Sequence, residues 1–286
     1  MPRVPSRLRF GFSPCPNDTF AFWGAVHGAV ASEVVLEPVL LDIEALNERA
    51  VHGEDPFEVT KLSLPALARA LDRYAVLPSG AALGFGNGPL LVCRDGAPLR
   101  TANELGTARL AIPGRHTTAF LLASSLLPRP REVVEMRFDR ILAAVANGDC
   151  DAGLVIHESR FTYQQHGLRA LADLGELWQQ ATSGPLPLGV IAARRDLPPA
   201  VFRELGRVLA ESVRLARREP QRPRPYVRAH AQELADEVCA QHIALYVNDF
   251  TADLGTSGRL AIDELLRRGR AAGLLPAGPS PFREDV

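Results

Sequence analysis

Short runs of branched and aromatic residues alternate with stretches of helical periodicity along almost the whole chain. That alternation predicts an α/β architecture with largely parallel sheets. Residues 8–12 read as a first strand, the turn Ser13-Pro14-Cys15-Pro16-Asn17-Asp18 follows, and a helix over 19–27 closes at Gly28. Asn17 or Asp18 suits its N-cap. A strand over 34–40, a helix over 43–51, a strand over 57–61 and a helix over 64–72 continue the pattern. Beyond them, strands are predicted over 90–94, 109–112 and 152–156, and helices over 117–126 and 140–146. From Pro199 the chain reads as helical nearly to its end, interrupted at residues 220–225.

Between the two halves lies Gly80-Ala81-Ala82-Leu83-Gly84-Phe85-Gly86-Asn87-Gly88-Pro89. A dinucleotide-binding loop places its glycines after a strand and at the opening of a helix. Here they precede a strand, and Pro89 follows, so a flexible junction between domains is the better reading. The run Leu188-Gly189-Val190-Ile191-Ala192-Ala193-Arg194 then returns the chain to the first unit. The expected division is a larger discontinuous domain of residues 1–89 and 190–286, with a smaller one of residues 90–189.

Composition narrows the function. The net charge of −1 argues against electrostatic capture of nucleic acid or of an anionic membrane. No apolar run approaches the length of a membrane span, and the N-terminus lacks the apolar centre of a secretory signal. Cys15, Cys93, Cys150 and Cys239 are scattered without a C-x-x-C pair, which suits free thiols in a reducing cytoplasm. One feature of charge stands out: Lys61 is the only lysine beside 31 arginines. A position that keeps lysine in such a chain is a candidate for a compact cation that touches one oxygen of a bound anion. The alternative is an accident of composition.

Three regions fall just past the carboxyl ends of predicted strands, where open α/β sheets bind ligands. They are Lys61-Leu62-Ser63, Thr117-Thr118-Ala119 and His157. The second also opens a helix, whose free N–H groups suit a carboxylate, although a plain N-cap explains it equally. A neutral histidine at a strand end is either structural or a base near pH 7. His157-Glu158 is not a zinc motif, since Phe161 stands where the second histidine belongs, and His27, His52, His166, His230 and His242 show no metal-ligand spacing. Neither a nucleophile elbow nor a phosphate-binding loop is present.

The runs Ser13-Pro14-Cys15-Pro16-Asn17-Asp18-Thr19-Phe20, Thr60-Lys61-Leu62-Ser63, Pro113-Gly114-Arg115-His116-Thr117-Thr118-Ala119 and His157-Glu158-Ser159-Arg160-Phe161-Thr162-Tyr163 closely resemble the 1,4-dihydroxy-6-naphthoate synthase family of the futalosine route to menaquinone. Tyr246-Val247-Asn248 extends the likeness towards the end of the chain. The resemblance implies a periplasmic-binding-protein-like fold, with two α/β domains flanking a ligand cleft. It implies a cytoplasmic carbon–carbon lyase acting on cyclic dehypoxanthine futalosine, a small-molecule carboxylate, with release of a three-carbon sugar fragment. No metal, redox cofactor or obligate protein partner is implied. His157 would be the proton acceptor, Lys61, Leu62 and Ser63 would contact substrate from one domain, and Thr118 and Ala119 from the other. The sister enzyme chorismate dehydratase and a solute-binding protein share the fold; the HESRFTY run favours the naphthoate synthase, and the missing secretion signal counts against a solute-binding protein.

Overall fold

The computed structural model describes residues 7–231 and 235–286. Two mixed sheets organise it. The first is built from β1 (Arg7–Phe12), β2 (Val35–Leu40), β3 (Val59–Ser63), β4 (Tyr74–Val76) and β5 (Ala82–Gly84). The second is built from β6 (Leu90–Arg94), β7 (Arg109–Ile112), β8 (Glu132–Glu135), β9 (Ala152–Val155) and β10 (Leu168–Asp173). A long β11 (Leu186–Arg194) then re-enters the first sheet, giving the orders β2-β1-β3-β11-β4, with β5 also on β11, and β10-β6-β9-β7-β8.

The expectation of largely parallel sheets is corrected. β1 pairs in parallel with β2 and β3, and β7 with β8 and β9. β11 runs antiparallel to β3, β4 and β5, and β6 runs antiparallel to β9 and β10. The reason is connectivity: β11 approaches the first sheet from the second one rather than over a helical crossover, so it enters in the opposite direction.

Helices cover the sheets: α1 (Pro16–Val26), α2 (Ile43–His52) and α3 (Leu64–Arg69) on the first half, then α4 (Thr118–Leu126), α5 (Phe138–Asn147), α6 (Ser159–Thr162) and α7 (Leu174–Thr182). α8 (Pro199–Arg218), α9 (Arg224–His230), α10 (Asp236–Tyr246), α11 (Asp249–Ala252) and α12 (Gly255–Ala271) complete the chain. Alternation along β1 sends Leu8, Phe10 and Phe12 into one core, where Phe10 and Phe12 meet Phe22 of α1 edge-on at 5.1 and 5.4 Å between ring centres. α8 closes that core and is fastened to α1 by Ser212, whose hydroxyl donates to the Ala21 carbonyl at 2.7 Å and accepts from the Ala25 N–H at 3.0 Å. α1 starts earlier than expected, at Pro16, with Cys15 as its N-cap, so neither Asn17 nor Asp18 caps it.

The glycine-rich segment serves close approach. A Cβ on Gly88 would lie 2.1 Å from the backbone nitrogen of Gly175, and one on Gly84 would lie 2.9 Å from the Asn248 amide. Ala81 and Leu83, just before Gly84, are buried, and Ala82–Gly84 forms a strand against β11. No helix among the described residues is long and apolar enough to cross a membrane.

Candidate active site

Lys61, Ser63, Thr117, Thr118, Ala119 and His157 all line one cavity between the two sheets. Leu62 does not. Strand alternation turns its side chain to the opposite face of β3, where it is fully buried in the core. The N-cap Thr117 and the first two positions of α4 reach the cavity because the β7–α4 loop delivers the helix end there. Thr117 caps that end by accepting from the Phe120 N–H at 3.3 Å.

His157 follows β9 in a left-handed backbone conformation, φ 55°, which aims its ring at the cavity. Non-glycine residues are uncommon in this region, although histidine enters it more readily than most. Its Nε2 is buried with no hydrogen-bond partner among the described residues. Burial, reinforced by the positive charge of Lys61, lowers its pKa to about 3, so the ring is neutral at physiological pH. Cys15 Sγ, a ring nitrogen of His157 and a Glu158 carboxylate oxygen lie within 4.8 Å of one another. Burial, with Glu158 and Asp18 adding to it, pushes the Cys15 thiol well up, so it stands there protonated.

The lone lysine has a partner that the sequence reading did not give it. Lys61 Nζ donates to both carboxylate oxygens of Asp18 at 2.6 Å, and both side chains are almost fully buried. Asp18 also accepts from the Ser13 N–H at 3.1 Å, the Ser13 hydroxyl at 2.6 Å and the Asn17 amide at 2.8 Å. The compact cation is therefore chelated within the protein at the cavity wall. Asn17, from the same turn, lines the cavity and keeps its Oδ1 buried without a partner.

Polar contacts cross from one sheet's elements to the other's. The Thr118 hydroxyl donates to the Leu188 carbonyl at 2.6 Å and accepts from the Leu64 N–H at 3.2 Å. Glu44 of α2 accepts from the His116 N–H at 2.8 Å and from the Asn47 amide at 2.8 Å, and Asn47 in turn bonds Ser63. Burial raises the Glu44 pKa from the usual 4.5 to about 7. The folded protein thus holds a proton that the unfolded chain releases, so this carboxyl's contribution to stability falls as pH rises from 4.5 to 7. The difference is on the order of 3 kcal/mol. The thermal midpoint of the wild type should drop more between pH 5 and pH 8 than that of Glu44→Gln. Equal drops in the two proteins would show that Glu44 titrates normally.

Among the cavity-lining residues not singled out as site residues from sequence are two with polar rings. His242 and Tyr246 reach the site from α10, one helical turn apart. Tyr246 had a signal, since it opens the quoted Tyr246-Val247-Asn248 run; His242 had none.

The sequence model of a family described as menaquinone biosynthesis matches residues 8–271. The chain belongs to that family. It is 50% identical over 275 residues to a 1,4-dihydroxy-6-naphtoate synthase of Thermus thermophilus, covering 96% of this chain and 98% of that protein. A protein of the same name from Streptomyces coelicolor is 46% identical over 278 residues, covering 95% and 96%. Among solved structures, a protein of Archaeoglobus fulgidus superposes with a TM-score of 0.88 at 36% identity, over 96% of this chain and 100% of that one. The alkanesulfonate-binding protein of Xanthomonas axonopodis superposes at 0.69 with 18% identity, over 96% of each chain, and shares the fold alone. The periplasmic-binding-protein-like α/β fold expected from the sequence is the one observed.

Proposed function

We propose that this member of the menaquinone biosynthesis family converts cyclic dehypoxanthine futalosine to 1,4-dihydroxy-6-naphthoate and releases a three-carbon sugar fragment, with His157 as proton acceptor. The observation that carries the reading is the near-full-length identity to two 1,4-dihydroxy-6-naphtoate synthases. The site agrees with it chemically. A neutral imidazole with a buried, unpaired nitrogen faces a cavity whose walls hold one cation and the N-terminal end of α4.

In this reading residues 1–89 with 190–286 and residues 90–189 are two lobes that close over a carboxylate substrate. Lys61 and Ser63 come from one lobe, and Thr117, Thr118, Ala119 and His157 from the other. Closure excludes water and brings base and substrate together. The same reading places the enzyme in the cytoplasm, acting without metal, redox cofactor or protein partner. The decisive experiment incubates purified protein with cyclic dehypoxanthine futalosine or with chorismate and separates the products by chromatography. Formation of 1,4-dihydroxy-6-naphthoate, unchanged by a chelator, is expected. Dehydration of chorismate instead, or no naphthoate from the first substrate, would overturn the assignment.

A further inference from the structure

His242 is wholly inaccessible, and neither of its ring nitrogens has a hydrogen-bond partner among the described residues. That is an expensive arrangement. A buried polar group left unpaired costs about 1–3 kcal/mol, and an imidazole carries two such groups. The rings beside it are those of Tyr246 at 4.6 Å, Phe161 at 6.3 Å and His157 at 6.3 Å, and none of these contacts requires a polar ring. Yet it lines the same cavity as His157. The polarity of this ring thus goes unused until something polar enters the cavity.

The ring is neutral, because burial and then the neighbouring His157 and Lys61 hold its pKa well below the ordinary value. A neutral imidazole carries one N–H donor and one acceptor. With both nitrogens free, either tautomer leaves a donor for an incoming oxygen. His157 sits beside it as an equally neutral ring, tilted 33° to it. When His157 takes a proton from the substrate, the electron pair stays behind and negative charge grows on the substrate. Once the walls part to admit substrate, an N–H donor held in place by the fold meets that charge, and an oriented donor of this kind is where much of catalysis comes from.

We propose that His242 is a second catalytic residue of the site, donating an N–H hydrogen bond to a substrate oxygen while His157 accepts the proton. This rests on the function proposed above. The test compares His242→Leu, which removes the donor at similar volume, with His242→Gln, which restores one. His242→Leu should keep or raise the thermal midpoint, because two unpaired polar atoms leave the core. Its kcat should fall roughly 10²–10³-fold, the loss seen when one such donor is removed. His242→Gln should recover part of that loss. In the wild-type protein, labelled with ¹⁵N-histidine, saturating 1,4-dihydroxy-6-naphthoate should shift the His242 ring-nitrogen signals, and this measurement does not depend on any variant folding. Normal wild-type turnover with His242→Leu within twofold in kcat, or His242 signals that stay put at saturation, would overturn this inference alone. A wild-type protein that makes no naphthoate would overturn the functional reading and this inference with it.

Discussion

His157→Asn is expected to fold as the wild type does and to lose roughly 10²–10⁴-fold in kcat, the usual size of a general-base contribution. Asparagine is the informative replacement because the backbone at this position is left-handed, φ 55°. Asparagine, like histidine, is among the residues that populate that region more readily than most, so this replacement keeps the backbone preference and separates lost chemistry from lost stability. The pH dependence should carry a second signature. In the free enzyme, burial and Lys61 hold the imidazole pKa down at about 3. The unfolded chain takes up a proton at the ordinary 6.5, so the fold loses stability as pH falls from 6.5 towards 3. The acid limb of kcat/KM, which reports the free enzyme, should therefore lie well below 6.5 as far as His157 is concerned. A base of such low pKa is weak. A bound carboxylate offsets the positive charge of Lys61 and raises the imidazole pKa, so the limb of kcat should lie above that of kcat/KM. Near-full turnover by folded His157→Asn would remove His157 from the mechanism.

How much of this site was legible beforehand differs residue by residue. Strand ends are written locally: a run such as Ala152-Gly153-Leu154-Val155 breaks where its apolar character breaks, so His157 and Lys61-Leu62-Ser63 could be placed at sheet ends from sequence. The direction of a strand is not written locally, and the antiparallel β11 went unforeseen for that reason. The short β4, and β8 with its half-exposed valines, carry too few residues to rise above the pattern of a loop. Leu62 was grouped with its neighbours by motif, although period-two alternation already separates it from Lys61 and Ser63. His242 could not have been found, because α10 has no clear apolar face to say which of its sides meets the cavity; Ala240 and Gln241 beside it are exposed. Lys61 is legible through composition alone, but its partner Asp18 sits in the first turn of α1, where the sequence offers it only as one of two N-cap candidates.

That partner sets the remaining prediction. Asp18→Asn leaves the Lys61 ammonium buried without a counter-charge, and breaking a buried pair in this way should cost about 3–5 kcal/mol in urea unfolding. Lys61→Arg keeps the charge but brings a wide fork to a site where one nitrogen now lies 2.6 Å from both carboxylate oxygens, so it too should destabilise. The double variant Asp18→Asn/Lys61→Met removes both charges and should regain much of the stability lost in the single variants. If the ammonium also meets the substrate carboxylate, that double variant should remain about 10- to 150-fold below wild type in kcat/KM, the worth of one charge-assisted hydrogen bond. Recovery of stability and activity together would make the pair purely structural. Single variants as stable as the wild type would contradict the structural half, and if Lys61→Arg is kinetically silent as well, the one lysine is an accident of composition.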